Sequence, residues 1–139
     1  MKIAQTINFD AAHRLLGYNG NCSSLHGHTW SVDIEIDSDR KMDEVGMLLD
    51  CRTIKQYFKD YYDHKTILNM DDPLVDILKA NNACVTIMKG NPTAENLAIK
   101  IMADFILLTN ASEFDYINIR VHESADNFAE VNNFDGARL

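Results

Sequence analysis

The segment His26-Gly27-His28-Thr29-Trp30-Ser31-Val32-Asp33-Ile34-Glu35-Ile36-Asp37 decides how this chain folds. Its apolar and polar residues alternate without a break. Trp30, Val32, Ile34 and Ile36 share one face, and His26 and His28 extend it. Thr29, Ser31, Asp33, Glu35 and Asp37 share the other. A period of two marks a half-buried strand. On that strand the two histidines stand about 7 Å apart on the core-facing side. Two imidazoles on one pleat can converge on a single ion. Gly27 between them lacks a Cβ, so the opposite face admits close approach of another backbone.

Upstream, Ile3 to His13 repeats the pattern. Ile3, Ile7, Phe9 and Ala11 share a parity with His13, while Thr6, Asn8 and Asp10 fall on the other side. A loop containing Gly17, Asn19, Gly20 and Asn21 joins the two strands. Downstream, Ile54, Tyr57, Phe58 and Tyr61 recur at helical spacing, which predicts a helix over Thr53–Tyr62. A second helix starts near Pro92-Thr93, with Thr93 as N-cap and a stripe of Leu97, Ala98, Ile101, Phe105 and Leu108. Asp115–Ser124 reads as a strand with Ile117, Ile119, Val121 and Glu123 on one face, and Phe128–Phe134 as a last short strand. The expected class is α+β: a four-stranded antiparallel sheet with two helices inserted between strands 2 and 3. Ala83–Met88 has the composition of a further short strand outside this scheme. The Asp71-Asp72-Pro73 run reads as a turn.

The chain has 139 residues, 46% of them hydrophobic and 24% charged, which fits one globular domain over residues 1–139. The formal net charge of −8 argues against a nucleic-acid partner, whose phosphates are met by lysine and arginine. A phosphorylated small molecule needs only a local basic patch. The three cysteines, Cys22, Cys51 and Cys84, are odd in number and form no C-x-x-C, which favours a reducing cytoplasm over a disulfide scaffold. No apolar run reaches the roughly 18 residues of a membrane span, and no signal region opens the chain, so a cytoplasmic protein without membrane contact is expected.

Chemistry concentrates near the start. His13, His26 and His28 share the core-facing side of adjoining strands, and three imidazoles with an open fourth position suit zinc. Iron(II) usually takes two histidines and a carboxylate, but Asp10 and Asp33 fall on the wrong parity to supply one. Cys22 has three readings: the fourth ligand of a closed site, a catalytic thiol, or a small buried filler. Its Gly/Asn/Ser loop speaks against the filler, because loops lie at the surface. Asp63 and His64 follow the first helix. Adjacent residues on a helix do not face one another, so a bond between them requires loop geometry. Glu123, at the end of an apolar face, is either half of a structural ion pair or an acceptor for a guanidine-like ligand edge with two N–H groups.

Together these motifs resemble the 6-pyruvoyltetrahydropterin and 6-carboxytetrahydropterin synthase family over nearly the whole chain. Phe9-Asp10-Ala11-Ala12-His13 is similar to its first zinc motif, and Cys22-x-x-x-His26-Gly27-His28 to its signature of a nucleophilic cysteine with two zinc ligands. Gly46-Met47-Leu48-Leu49-Asp50 resembles the entry to the first helix, and Tyr62-Asp63-His64 the catalytic Asp-His pair. Asn91-Pro92-Thr93-Ala94-Glu95-Asn96-Leu97 resembles the opening of the second helix, and Val121-His122-Glu123-Ser124 the motif whose glutamate anchors the pterin. The sequence departs at Lys65-Thr66-Ile67-Leu68-Asn69, where the family places Leu-Asn one residue earlier, and at Cys51, where it usually has phenylalanine.

The resemblance implies a tunnelling fold and homo-oligomers, often hexamers, with active sites between subunits. It implies Zn2+ on His13, His26 and His28, catalysis by Cys22 with Asp63 and His64, and substrate binding by Glu123. The implied substrate is 7,8-dihydroneopterin triphosphate, with Arg14 or Lys65 meeting its phosphates. The short chain and Leu25-His26-Gly27-His28 are most similar to the bacterial branch. That branch makes 6-carboxy-5,6,7,8-tetrahydropterin for queuosine-type deazapurines and releases acetaldehyde and triphosphate. The pyruvoyl-forming synthase and a non-catalytic zinc- or pterin-binding module are the alternatives. A folate-branch synthase would place an acidic residue between Cys22 and His26, and none stands there.

Overall fold

The structure, a computed structural model, describes residues 1–109 and 114–134. Residues 110–113 and 135–139 of the expected domain lie outside the described residues. Six strands, β1 (Lys2–His13), β2 (His26–Asp37), β3 (Lys65–Asn69), β4 (Val85–Met88), β5 (Tyr116–His122) and β6 (Phe128–Asn132), form one sheet in the order β4-β3-β1-β2-β5-β6. Three helices accompany it: α1 (Cys51–Tyr61), α2 (Leu74–Ala80) and α3 (Ala94–Thr109).

The class is α+β as expected, but the four-stranded, two-helix scheme is corrected. β1, β2, β5 and β6 are the antiparallel strands that the alternation predicts. β3 joins β1 in parallel through Ala11–His13, and β4 joins β3 in parallel, which makes the sheet mixed. In β3, Ile67 and Leu68 are adjacent and both fully buried, so the strand shows no alternation to read. α2 has seven residues and only Val75 buried, too little for a helical stripe. The run read as a turn leads into it, with Asp72 Oδ1 accepting the Leu74 N–H at 2.8 Å.

β1 and β2 pair residue for residue from Lys2↔Asp37 to His13↔His26. Their inner faces, with Ile117, Ile119 and Val121 of β5, form the floor of the core. Ile54 and Phe58 of α1 and Leu97, Ile101, Met102 and Phe105 of α3 close over it. Phe9 joins the layers, with ring centroids 5.6 Å from Phe58 and 5.5 Å from Tyr62. Fully burying one such ring contributes about 1.5–3 kcal/mol. Tyr61, expected on the buried stripe, is exposed, and Tyr62 takes its place in the core. The chain leaves helical geometry at Tyr62, which shifts the facing by one residue. Asp50 caps α1 by accepting the Arg52 N–H at 2.9 Å, and Thr93 Oγ1 accepts the Asn96 N–H at 3.3 Å at the start of α3.

Candidate functional site

The residue-for-residue register puts His13 directly opposite His26 at the open end of the β1–β2 ribbon, with His28 beside them on the same face. The three ring centroids lie 4.5 to 5.1 Å apart. Two of the rings are oriented by backbone carbonyls. His13 Nδ1 donates to the Pro92 carbonyl and His26 Nδ1 to the Ser24 carbonyl, both at 2.8 Å. With those protons assigned to Nδ1, the Nε2 lone pairs of His13 and His26 face each other across 3.1 Å. His28 Nε2 is buried and has no hydrogen-bond partner.

Three acceptor nitrogens aimed at one point repel unless a cation lies between them. Two nitrogens on a tetrahedral zinc, at about 2.0–2.1 Å each, would stand about 3.3 Å apart, so the donor set fits that ion. Among the described residues this is the one group of three or more His, Cys, Asp or Glu side chains so placed, with ligand atoms within 4.8 Å of one another. Cys22 is not part of it. Burial, chiefly, holds the His13 pKa below the usual imidazole range, which keeps the ring neutral and able to ligate. Trp30, the single tryptophan of the chain, stands edge-on to His13 and His28 at 5.0 and 5.5 Å.

Glu123 follows β5, and its N–H bonds to the Asn127 carbonyl at 3.2 Å, closing the β5–β6 turn. Its Oε1 lies 3.4 Å from His13 Nε2 and 3.7 Å from His28 Nε2. Beside it opens a cavity of about 430 Å3 lined by Cys22, Thr93, Glu95, Glu123 and residues of that turn. Glu95 and Thr93 are cavity residues that sequence reasoning missed. The signal was present in Thr93-Ala94-Glu95, which starts α3 and points its first turn at the cavity, but it read only as capping.

Asp63 and His64 do pair, at 2.9 Å between Oδ1 and Nδ1. His64 adopts a left-handed φ of 56°, the loop geometry that adjacent residues need to face each other. The pair is fastened to β1: Asp63 Oδ1 accepts the Asp10 N–H at 3.2 Å and the Asp10 carbonyl accepts the His64 N–H at 2.7 Å. The Asp10 N–H, first, and His64 hold the Asp63 carboxyl below its usual range. The structure does not bring this pair to Cys22. His64 lines a different, open hollow of about 540 Å3 with Asp10, Gly27, His28, Thr29 and Lys65. Asp10, Gly27 and Thr29 stand on the strand face opposite the three histidines. A Cβ on Gly27 would meet the Ala11 carbonyl oxygen at 3.4 Å, ordinary contact, and would project toward this hollow.

Of the two basic residues offered for phosphate, Lys65 lines that hollow. Arg14 is committed elsewhere, donating through Nε to Asp72 Oδ2 at 2.7 Å and through Nη2 to Oδ1. All three thiols are free. No helix among the described residues is long and apolar enough to cross a membrane.

The model of the 6-pyruvoyl tetrahydropterin synthase family matches residues 2–133. A 6-carboxy-5,6,7,8-tetrahydropterin synthase of Rickettsia bellii is 34% identical, over 94% of this chain and 99% of that protein. A putative 6-carboxy-5,6,7,8-tetrahydropterin synthase of Pyrococcus horikoshii is 32% identical, over 94% and 88%. Among solved structures, the 6-pyruvoyl tetrahydropterin synthase of Plasmodium falciparum superimposes with a TM-score of 0.69 at 20% identity, over 95% of this chain and 98% of that one. The Caenorhabditis elegans 6-pyruvoyl tetrahydropterin synthase gives 0.62 at 22% identity, over 94% of each.

Proposed function

The chain belongs to the 6-pyruvoyl tetrahydropterin synthase family, and on that premise we propose that it is a zinc-dependent lyase acting on 7,8-dihydroneopterin triphosphate. With one water, the substrate yields 6-carboxy-5,6,7,8-tetrahydropterin, acetaldehyde and triphosphate, a product suited to queuosine-type deazapurine synthesis in the cytoplasm. The observation that carries the reading is the convergence of three imidazole nitrogens beside a cavity lined by one thiol and three carboxylates, those of Glu95, Glu123 and Asp126.

His13, His26 and His28 would hold the zinc, which supplies Lewis acidity toward the side-chain oxygens of the substrate. The Pro92 and Ser24 carbonyls fix the two rings that face each other, so little reorganisation accompanies metal binding. Glu123 and Glu95 present acceptors to the amino and ring N–H groups of a pterin and set its orientation. Cys22, at the same cavity, takes and returns the proton at the substrate side chain. Asp63 orients His64, and the pair supports proton transfer at the site of a neighbouring subunit, since in its own chain it faces a separate hollow. A homo-oligomer, hexameric in the favoured form, would then complete each site.

Incubation of the zinc-loaded protein with 7,8-dihydroneopterin triphosphate, followed by mass analysis, tests this. Formation of the 6-carboxy product with one acetaldehyde per turnover is expected. A 6-pyruvoyl product without acetaldehyde would transfer the chain to the other reaction of the family. Binding without turnover would leave a pterin-binding module.

A further inference from the structure

We propose that Asn91 is a positioning residue that locks the loop carrying Cys22 to the histidine cluster. This rests on the reading of Cys22 as the group that moves the proton. The loop from Arg14 to Leu25 leaves β1 just after His13 and returns just before His26, so its ends share the metal cradle while Cys22 sits along its length. Its base is closed by Leu15 N–H donating to the Cys22 carbonyl at 2.8 Å. One residue further on, the Asn91 carboxamide grips Leu16 twice. Oδ1 accepts the Leu16 N–H at 2.9 Å, and Nδ2 donates to the Leu16 carbonyl at 3.0 Å. The side chain thus substitutes for a neighbouring strand.

Asn91 is itself held. Its carbonyl accepts from Asn96 Nδ2 of α3 at 2.8 Å and from the Thr93 N–H at 2.8 Å. The next residue, Pro92, offers the carbonyl that orients His13. One rigid tripeptide, Asn91-Pro92-Thr93, therefore sets the aim of a metal ligand, the position of the cysteine loop and the wall of the cavity. Asn91 does not line that cavity. Its loss acts through the distance between thiol and substrate, not through binding, and a displacement near 1 Å at a reacting group costs on the order of 100-fold in rate.

The test uses the zinc-loaded full chain. Asn91→Ala is expected to lower kcat on the order of 10–100-fold with KM within about threefold. A zinc titration read by Trp30 fluorescence should be unchanged, since Pro92 contributes its backbone. Peptide-resolved hydrogen exchange should show lost protection at Leu16 with α3 unaffected. Asn91→Asp keeps the acceptor for the Leu16 N–H but sets an oxygen against the Leu16 carbonyl, and should do no better than alanine. Wild-type kcat in Asn91→Ala, full recovery in Asn91→Asp, or a rise in KM at constant kcat would each overturn the clamp. Full turnover by Cys22→Ala in the same series would instead overturn the reading of Cys22, and Leu16 exchange would then decide the clamp alone.

Discussion

On the core-facing side of the β1–β2 ribbon, His13 is 1% exposed, its Nδ1 is bonded, and the cysteine cavity opens beside it. On the other side the His64 side chain is 80% exposed and faces an open hollow. The first region assembles a complete set of three candidate metal ligands within one chain; the second holds an oriented acid–imidazole pair at an open hollow away from the Cys22 cavity. Metal binding should therefore be a property of the protomer, and turnover a property of the assembly.

The sharpest way to break this contrast is to remove a ligand. His13→Ala should abolish the fluorescence response of Trp30 to zinc and reduce turnover to background. Normal zinc affinity would show that the cradle is not where metal binds. Cys22→Ala comes next: turnover should fall about 10²–10⁴-fold while one zinc per chain is retained. Loss of zinc along with activity would make Cys22 a ligand. His64→Ala should cost less, about 10–100-fold, with zinc retained. Co-refolding of Cys22→Ala and His64→Ala chains should restore part of the activity, because mixed assemblies contain sites with both groups intact. Mixtures as inactive as their parents would contradict a site shared between chains.

The smallest effect concerns the scaffold that holds the complete region. The Arg14 guanidinium, first, keeps the buried Asp72 carboxyl below its usual range. A depressed folded-state pKa contributes stability above the unfolded pKa of about 3.9, and that contribution fades as pH falls through the folded value. Asp72→Asn should be less stable than wild type by about 2–3 kcal/mol at pH 7, with the gap closing below about pH 4. Urea unfolding at both pH values measures it; an equal gap at both would remove the ion pair from the account.

Legibility in the sequence follows a different division, between strands that bury one face and the block from β3 to β4. Wherever a strand buries one face, as in β1, β2 and β5, alternation carries its identity, its facing and the placement of His13, His26 and His28. The block from β3 to β4 lacks that signal. Ile67 and Leu68 are both buried, α2 is shorter than two full turns of stripe, and β4 buries only Met88. Asp72 read as a turn residue because its partner, Arg14, is 58 positions away. Local pattern carries no trace of a pairing at that range. Thr93 and Glu95 were legible as a helix start, but their cavity is formed with a turn at the other end of the chain.

X-ray absorption at the zinc edge of the loaded wild-type protein tests the central claim most directly. The account predicts three nitrogen ligands at about 2.0–2.1 Å with a light-atom fourth neighbour and no sulfur. A sulfur shell near 2.3 Å would contradict it, because Cys22 would then close the site that the reaction requires to be open.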